Sequence, residues 1–525
     1  MLYLEYISAR RNVTMTQQEA SAMKNRITQL ESENQRLQQQ VSYLQKHLFG
    51  RKTEKTSVIF DGQINLFDEA EQEAKKKPVE PDLQTIREHR RKKTVGQREK
   101  LLEDLPHEEK LYTLAPEEQI CKRCGAELVS MGKELIRTEV QFIPAQIKII
   151  DHVRESFECR PCRKEQHFSI KKPAIPNAVL PHSLASASSI AHVMVQKYGN
   201  ALPLYRQEKE WKELGLEVSR ATLASWIMRS ARDWLMPVVD LLHKKLLEET
   251  YLHADETTVQ VMNEKNRKNT STSYMWVYAS GKYGAKHKIR IFDYQPGRNG
   301  NYAKEFLQGF NGYLHTDAYA GYNKVADVTR CFCWSHVRRD FVDALPENIE
   351  DETGTLTKAG IEQINRLFAL EKEFEPLDQA ERKKQRLLQE KPVLDAFWSW
   401  IETNKGKVLP KSKLSKAMNY AENQRKGLEA FLEDGNCSLS NNLAENSIRP
   451  FTIGRKNWLF SGSPKGAAAS AAVYSLIETC KANEINEYKY LKYLFETLPN
   501  IEFQREPQRL EAYLPWSQYV QAICR

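Results

Sequence analysis

The sequence predicts a multidomain α+β protein, and three observations lead to that fold class. The chain has 525 residues, too many for a single hydrophobic core. Long segments of helical periodicity flank a group of short alternating segments that starts near residue 250, which indicates strands between helical regions. Two Cys-x-x-C pairs lie before residue 165, which indicates an additional small metal-binding module.

Composition and charge narrow the classes of function. The formal net charge of +9 suits a polyanionic partner. The chain has no run of about eighteen apolar residues, so no membrane span is expected. Its first residues lack the apolar core and cleavage site of a signal peptide. The nine cysteines, four of them in close pairs, indicate metal binding in a reducing compartment rather than a disulfide framework.

Residues 1–50 are predicted to form a coiled coil, or leucine zipper, through which chains self-associate. Between residues 16 and 48 apolar side chains recur at heptad spacing, with Asn34 as one polar position that favours a fixed register. The two sets of heptad positions are Met23, Leu30, Leu37 and Leu44, and Ile27, Asn34, Val41 and Leu48. The alternative is a lone amphipathic helix packed on the body of the protein.

Residues 51–110 have the composition of a charged linker, because they are rich in Lys, Arg and Glu and poor in large apolar residues. Nonspecific contact with phosphates is a further possibility for this basic segment.

Residues 111–172 are predicted to form a zinc-binding domain. Two Cys-x-x-C pairs can present four thiolates tetrahedrally to one structural Zn²⁺, which leaves no open position for catalysis. The expected ligands are Cys121, Cys124, Cys159 and Cys162. The segment EVQFIPAQIKII between the pairs alternates in polarity and is predicted to be strand.

Residues 173–246 are predicted to be helical. A helix ending at Gly215 is followed by Ser219 as an N-cap and by a helix with Arg220 and Arg229 exposed, an order that resembles a helix-turn-helix. Simple packing of two helices is the alternative to DNA contact.

Residues 247–345 are predicted to form the first part of a ribonuclease H-like core. Three alternating runs, a helix, a fourth strand, a further helix-like stretch and a fifth strand follow each other in the order β-β-β-α-β-α-β. In that fold strands one and four are neighbours, so Asp255 and Asp317 should lie close together. Asp255 could instead be a turn residue and Asp317 a helix cap. Glu256 should point to the face opposite Asp255.

Residues 346–436 are predicted to be an all-helical insertion, after which residues 437–464 return to the core with a third acid, Glu445. A C-terminal helical region, residues 465–525, completes the chain. Glu445 is expected in a short helical run closed by Pro450. Taken alone it could serve a capping box with Asn442 or a surface ion pair with Arg449.

Three acids on separate elements point to phosphodiester chemistry with two metal ions. Hard carboxylate oxygens can hold two Mg²⁺ or Mn²⁺ ions about 4 Å apart, one beside the attacking oxygen and one beside the leaving oxygen. The basic and aromatic residues that follow Glu445 are candidates for DNA contact. The DNA-binding candidates are Arg449, Arg455, Lys456, Trp458, His336, Arg338 and Arg339. Trp458 could alternatively pack beneath the site. Cys333 and His336 are metal-ligand types, but two ligands do not make a zinc site.

The chain resembles transposases of the insertion sequence 66 family (the TnpC type) along essentially its whole length. The resemblance rests on a series of blocks in order: LFGRKTEK, CKRCG, CRPC, KYGNALPLYRQ, HADETTVQV, HTDAYAGYN, CWSHVRRDF and NNLAENSIRPFTIGRKNWLFSGSPKGA. Thr258 stands where the family commonly has Pro, and Asn446 where it commonly has Arg.

The resemblance implies a DDE triad at Asp255, Asp317 and Glu445. It also implies a zipper and zinc-binding domain that handle DNA ends and assembly. We therefore expect a DNA transposase of the bacterial cytoplasm that cleaves element ends and joins 3′-hydroxyl ends to target DNA, with accessory proteins of the element as possible partners. A ribonuclease H-like nuclease without strand transfer and a non-catalytic zinc and coiled-coil DNA-binding regulator are the alternatives.

Overall fold

The computed structural model describes residues 145–158, 170–345 and 355–525, together with a few isolated positions before residue 145. Of the predicted coiled coil, only Arg26, Gln29 and Leu30 are described, and they are helical. The rest of that segment, the whole predicted linker of residues 51–110 and the four predicted zinc ligands also lie outside the described residues. Those ligands are Cys121, Cys124, Cys159 and Cys162. No described helix combines the length and the apolar character that crossing a membrane requires.

A short antiparallel ribbon precedes the helical region. Strand β1 (Phe157–Glu158) pairs with β2 (Ile170–Lys171). The strand predicted in EVQFIPAQIKII is wrong over residues 145–150, which have no regular structure. Ile149 and Ile150 are mostly exposed, so among the described residues the alternation there faces no core and pairs with no strand.

Four helices then pack together, as predicted for residues 173–246. They are α1 (Ala187–Met194), α2 (Leu204–Glu213), α3 (Arg220–Ser230) and α4 (Met236–Leu247). Ser219 is the N-cap of α3, because its hydroxyl accepts from the Thr222 amide. Trp211 and Trp226 pack edge to face, 5.8 Å apart, and hold α2 against α3. Arg220 is exposed as predicted, but Arg229 is half-buried and donates to the Pro181 carbonyl.

A mixed sheet follows, with the five predicted strands in the predicted chain order. They are β3 (Tyr251–Val261), β4 (Thr272–Ser280), β5 (Arg290–Gln295), β6 (Gly312–Thr316) and β7 (Val328–Phe332). Their order across the sheet is β5-β4-β3-β6-β7. Strands β3, β4 and β5 form an antiparallel meander, whereas β6 and β7 run parallel to β3. Strands β3 and β6, the first and fourth predicted strands, are therefore neighbours, as expected.

The connections between these strands differ in length. Helix α5 (Gly300–Phe306) links β5 to β6, whereas only a 3₁₀ turn, Ala320–Lys324, links β6 to β7. Residues 317–327, which contain this turn, form the crossover that two parallel strands require.

The segment predicted as a helical insertion is helical wherever it is described. It begins after α6 (Trp334–Asp343) and comprises five α-helices with short 3₁₀ and π segments between them. These helices are α7 (Leu356–Phe374), α8 (Gln379–Gln385), α9 (Lys391–Asn404), α10 (Lys413–Asn423) and α11 (Arg425–Glu429). Trp334, Phe341 and Phe397 form the aromatic centre of its core.

The chain then returns to the sheet. Helix α12 (Asn442–Trp458) is followed by the short strand β8 (Phe460–Ser461), which pairs in parallel with the end of β3. Helices α13 (Pro464–Ala482), α14 (Glu487–Thr497) and α15 (Gln518–Cys524) complete the C-terminal region. Ser475 and Thr479 of α13 hydrogen-bond the backbone of β5, so this helix covers one face of the sheet.

Pro450 does not close the helix that carries Glu445, contrary to the prediction. It lies inside α12, which continues for two further turns. A proline in a helix interior removes one hydrogen bond and costs about 3 kcal/mol. Ile448, Phe451 and Thr452 are fully buried on either side of it, and this tertiary packing offsets the cost.

Glu390, in the helical insertion, should make stability depend on pH. Its carboxyl is buried, hydrogen-bonds no described group and lies beside Glu371. Burial and that charge raise its pKa from 4.5 to about 9, although Arg386, 3.9 Å away, opposes the rise. The folded state therefore retains a proton that the unfolded chain loses, so stability should fall as pH rises from about 4.5 to about 9. Glu390→Gln should raise the free energy of unfolding by about 2 kcal/mol at pH 8 and change it little at pH 4.5.

Urea unfolding at the two pH values measures this difference. Glu402→Gln, which removes a mostly exposed carboxylate of the same insertion, is the matched control and should leave stability unchanged at both. Equal stability of Glu390→Gln and wild type at pH 8 would show that Glu390 is not held protonated.

Candidate active site

Asp255 and Asp317 occupy equivalent positions on neighbouring parallel strands. His253 of β3 pairs with His315 of β6, and each aspartate comes two residues after its histidine. Continuing the parallel register from this pair places Asp255 beside Asp317 at the edge where β6 ends. Asp255 lies within β3 rather than in a turn, whereas Asp317 follows β6 and also accepts from the Tyr319 amide ahead of the 3₁₀ turn Ala320–Lys324.

Glu445 reaches the same edge because the start of α12 is fastened to β3. Asn441, the residue before the helix, donates from Nδ2 to the Ala254 carbonyl (2.9 Å) and accepts from His253 Nδ1 (3.0 Å). Asn441 is the N-cap position but makes no side-chain capping bond. The predicted capping box of Asn442 and Glu445 is therefore wrong, because the helix start is held by the sheet instead.

His253 and His315 form a buried stacked pair beneath the acids, with ring centroids 4.3 Å apart. Burial lowers the pKa of His253 well below its usual value, so its ring is neutral. His315 Nε2 accepts from the Ser438 amide (2.8 Å), which ties β6 to the segment that leads into α12. The sequence analysis missed this pair, although the repeat Leu-His-x-Asp before both aspartates was a visible signal.

The structure brings the three predicted acids together in one electrostatic cluster. Burial raises the pKa of Asp255 well above its usual value. The negative charges of Glu256, Glu445 and Asp317 raise the pKa of Asp255 further, in that order. Carboxylates that repel each other in a partly desolvated pocket favour either a shared proton or a bound cation.

Glu256 belongs to a neighbouring network that sequence reasoning did not foresee. Its Oε1 accepts from Arg298 Nε (2.6 Å) and its Oε2 from the Tyr322 hydroxyl (2.6 Å). Arg298 also lies 3.7 Å from Asp317 Oδ2, so it bridges the two acids. Burial and the charge of Asp317 raise the pKa of Glu256 to about 7, although Arg298 opposes that rise. Alternation along β3 predicted that Glu256 points away from Asp255, but Glu256 nevertheless interacts with Asp317 through its charge and through Arg298.

Two further contacts position Asp317. Arg330 donates to the Asp317 carbonyl (2.7 Å) and to the Thr316 hydroxyl (2.6 Å). Asp317 Oδ1 accepts from the Tyr319 amide (3.0 Å), which leaves Oδ2 directed towards Arg298. Arg298 and Arg330 lie in a loop and a strand without a distinctive local pattern, so only the fold identifies them.

His336 and Cys333 contact the third acid. His336 Nδ1 lies 3.7 Å from Glu445 Oε1, and the Cys333 thiol lies 3.9 Å from the same oxygen. Burial lowers the pKa of His336, but contact with Cys333 and the charge of Glu445 outweigh it and raise that pKa to about 9. The ion pair of Glu445 is thus with His336 of α6, not with Arg449 as the surface alternative supposed.

The other predicted DNA-binding residues fall into two groups. Arg449 and Lys456 are exposed on α12, and Arg338 is exposed on α6, where it donates to Asn365. Arg455 is half-buried and donates to the Thr258 carbonyl and to the hydroxyls of Thr257 and Thr258, so it ties α12 to β3. Arg339 is half-buried on α6.

Trp458 is the last residue of α12, and its ring packs against neighbouring side chains. Its ring meets Phe451 edge to face at 5.5 Å, and Lys197 lies 5.6 Å from its centroid. These contacts favour the packing alternative over the base-stacking one.

The chain matches the family described as Transposase IS66 family over residues 182–469, which is more than half of its length and includes all three acids. The protein belongs to the IS66 family of transposases. Three further matches of the family cover a zinc-finger binding domain of transposase IS66 at residues 118–163, an IS66 C-terminal element at residues 475–516, and a Transposase C of IS166 homeodomain at residues 36–109. The recognition drawn from the sequence blocks is confirmed.

Proteins of Sinorhizobium fredii are similar to this IS66-family transposase over most of its length. The uncharacterized protein y4hP is 27% identical over 504 residues, which cover 91% of this chain and 88% of that protein. The uncharacterized protein y4qI is 29% identical over 425 residues, covering 78% and 76% respectively. The zinc-finger match spans the positions of all four predicted zinc ligands, so the chain carries the family's zinc-finger domain.

Proposed function

We propose that this IS66-family protein is a DNA transposase that cleaves phosphodiester bonds at element ends and joins the 3′-hydroxyl ends to target DNA. The observation that carries the proposal is the convergence of Asp255, Asp317 and Glu445 from two parallel strands and a helix more than 120 residues further along the chain. The sheet order β5-β4-β3-β6-β7 supports assigning the core to the ribonuclease H-like fold.

The donor set fits hard divalent cations. Asp255, Asp317 and Glu445 are oxygen donors whose mutual repulsion a cation would relieve, as the raised pKa of Asp255 shows for that carboxyl. Both oxygens of Glu256 are committed to Arg298 and Tyr322, which favours Asp255 as the first ligand. The three acids would hold two Mg²⁺ or Mn²⁺ ions, which when bound activate the attacking oxygen and stabilise the leaving one.

The reaction would proceed in two exchanges of phosphodiester bonds. Hydrolysis at the element end forms a P–O bond from a water oxygen and breaks the P–O bond to the 3′ oxygen, which leaves as a 3′-hydroxyl opposite a 5′-phosphate. Attack of that hydroxyl on a target phosphodiester then forms one P–O bond and breaks another. Arg298 holds Asp317 and Glu256 in place, and Asn441 holds the start of the helix that bears Glu445. These contacts pre-position the acids on rigid elements.

The remaining parts of the protein have roles consistent with this reaction. We propose that residues 1–50 mediate self-association as a coiled coil, that one structural Zn²⁺ is held by Cys121, Cys124, Cys159 and Cys162, and that the helical region of α2 and α3 contacts DNA. The protein would act on DNA in the bacterial cytoplasm, with accessory proteins of the same element as possible partners.

A joining assay tests the proposal. The full chain is incubated with element-end DNA, a target plasmid and Mg²⁺, and joined products are separated by electrophoresis. Wild type should give joined products, and Asp317→Asn should give none while binding the ends normally. Cleavage without joining would support the ribonuclease H-like nuclease, whereas unchanged joining by Asp317→Asn would overturn the assignment of the acids.

Arg449 is expected to contact a DNA phosphate, because it is exposed one helical turn after Glu445. Arg449→Gln should weaken binding of all DNA sequences alike and reduce the slope of log K against log salt by about one unit. Fluorescence anisotropy at several salt concentrations measures that slope. Arg505→Gln, at a mostly exposed arginine of the C-terminal region, is the matched control. Identical slopes for the two variants would exclude a phosphate contact at Arg449.

A further inference from the structure

Three side chains of different metal-ligand types converge behind the acid cluster. The Cys333 Sγ, His336 Nδ1 and a carboxylate oxygen of Glu445 all lie within 4.8 Å of one another. Cys333 and His336 come from the start of α6, and Glu445 comes from the first turns of α12, 109 residues beyond His336. The sequence shows the first two ligand types but not the third, which only the fold supplies.

The two separations that involve Glu445 suit a tetrahedral ion, and the third, between Cys333 and His336, is within 4.8 Å. Zn²⁺ lies about 2.0–2.3 Å from nitrogen, oxygen and sulfur ligands, so ligand atoms around it are roughly 3.3–3.8 Å apart. In the structure Glu445 Oε1 is 3.7 Å from His336 Nδ1 and 3.9 Å from Cys333 Sγ. Adjustments of a few tenths of an ångström would bring both pairs to ligand spacing.

The surroundings of these atoms also match a metal site. His336 Nδ1 is buried and has no hydrogen-bond partner among the described residues, so its bonding capacity is directed into the cluster. The Asn441 amide donates to Cys333 Sγ (3.1 Å), and a backbone amide that donates to sulfur stabilises a thiolate. Cys333 itself is buried, which holds the sulfur in one position.

We propose that Cys333, His336 and Glu445 form a binding site for a thiophilic divalent cation, with Zn²⁺ as the preferred ion. One nitrogen, one sulfur and one carboxylate ligand select Zn²⁺ over Mg²⁺, which takes oxygen ligands almost exclusively. The site is separate from the four-cysteine zinc-finger domain, since none of its ligands belongs to residues 118–163. Its relevance to DNA joining rests on the proposed function: an ion there would compete with the acid cluster for Glu445.

Metal counting on the full chain tests this site without any DNA, so its result is independent of cleavage and joining. The protein is stripped of metal and reloaded with Co²⁺, whose thiolate complexes absorb in the near ultraviolet and visible range. Bound ions per chain are counted by elemental analysis. Wild type is compared with Cys333→Ser and His336→Gln, which leave the three proposed catalytic acids in place, and Cys524→Ser in α15 is the matched cysteine control.

Wild type should hold one more Co²⁺ per chain than Cys333→Ser and than His336→Gln, and the thiolate absorption should fall in Cys333→Ser. Cys524→Ser should match wild type in both measurements. His336→Gln leaves all three proposed catalytic acids in place, so it decides the question if Cys333→Ser fails to fold. Equal ion counts in wild type and His336→Gln, with equal affinity, would overturn the proposal and leave a hydrogen-bonded Cys-His-Glu cluster.

Discussion

Replacement of Glu445 by Gln should reduce DNA joining by about three orders of magnitude or more. Glutamine keeps the size of the side chain but removes the negative charge, and charge stabilisation at such a site contributes several kcal/mol to the barrier. The variant should remain folded, because relief of the repulsion between Glu445 and buried Asp255 offsets loss of the Glu445–His336 ion pair. Single-time-point joining assays and thermal unfolding measure the two effects.

The neighbouring residue provides the control for this variant. Asn446 is exposed on the same turn of α12, so Asn446→Gln changes a side chain beside Glu445 without touching the acid cluster. It should join DNA as wild type does, and both variants should bind element ends with wild-type affinity. Joining by Glu445→Gln within tenfold of wild type would remove Glu445 from the proposed triad.

Replacement of Arg386 by Met should destabilise the protein by about 3–5 kcal/mol. Arg386 is fully buried in the helical insertion and donates to both carboxylate oxygens of Glu371 (2.6 and 2.9 Å). It also donates to the carbonyls of Phe431, Asp434 and Cys437. Methionine fills much of the volume but leaves the Glu371 charge and three carbonyl groups unpaired. The midpoint of urea unfolding measures the loss.

A double variant tests the stated cause. If the unpaired Glu371 carboxylate accounts for much of the loss, Arg386→Met with Glu371→Gln should recover part of the stability of the single variant. Arg366→Met, at an exposed arginine of α7, is the matched control and should cost less than about 1 kcal/mol. A loss below about 1 kcal/mol in Arg386→Met would show that the buried cluster does not hold the insertion together.

Arg386 also has a consequence for the acid cluster. Asp434 and Cys437, whose carbonyls it binds, lie in the segment that leads from the insertion to the start of α12. Loosening that segment should displace Glu445 relative to the two strand-borne aspartates. We therefore expect the Arg386→Met variant to lose joining activity at temperatures where the variant is still folded.

The strands and the acids on them were accessible to sequence reasoning because their signal is local. Alternation of apolar and polar residues marks β3, β4 and β5. The short connections between consecutive strands limit the possible topologies. The order of elements then implied that the first and fourth long strands are neighbours, which the parallel pairing of His253 with His315 confirms. The family followed from the ordered sequence blocks and is confirmed.

The predictions of local structure were wrong where tertiary packing overrides a local sequence rule. Pro450 is a helix terminator by local rules, yet buried contacts of Phe451 and Ile448 carry α12 through it. The spacing of Asn442 and Glu445 is that of a capping box, yet Asn441 binds β3 and sets the helix start. The alternation in residues 145–150 is that of a strand, but a strand needs a partner.

The sequence by itself determined the family, the strand order along the chain and the identity of the three acids proposed for catalysis, because each depends on residue types at short or ordered spacings. Only the tertiary structure decided what surrounds those acids: Arg298 between Glu256 and Asp317, Asn441 on β3, and Cys333 with His336 against Glu445. These contacts join residues that lie far apart in the chain, and their geometry depends on packing that no local pattern encodes.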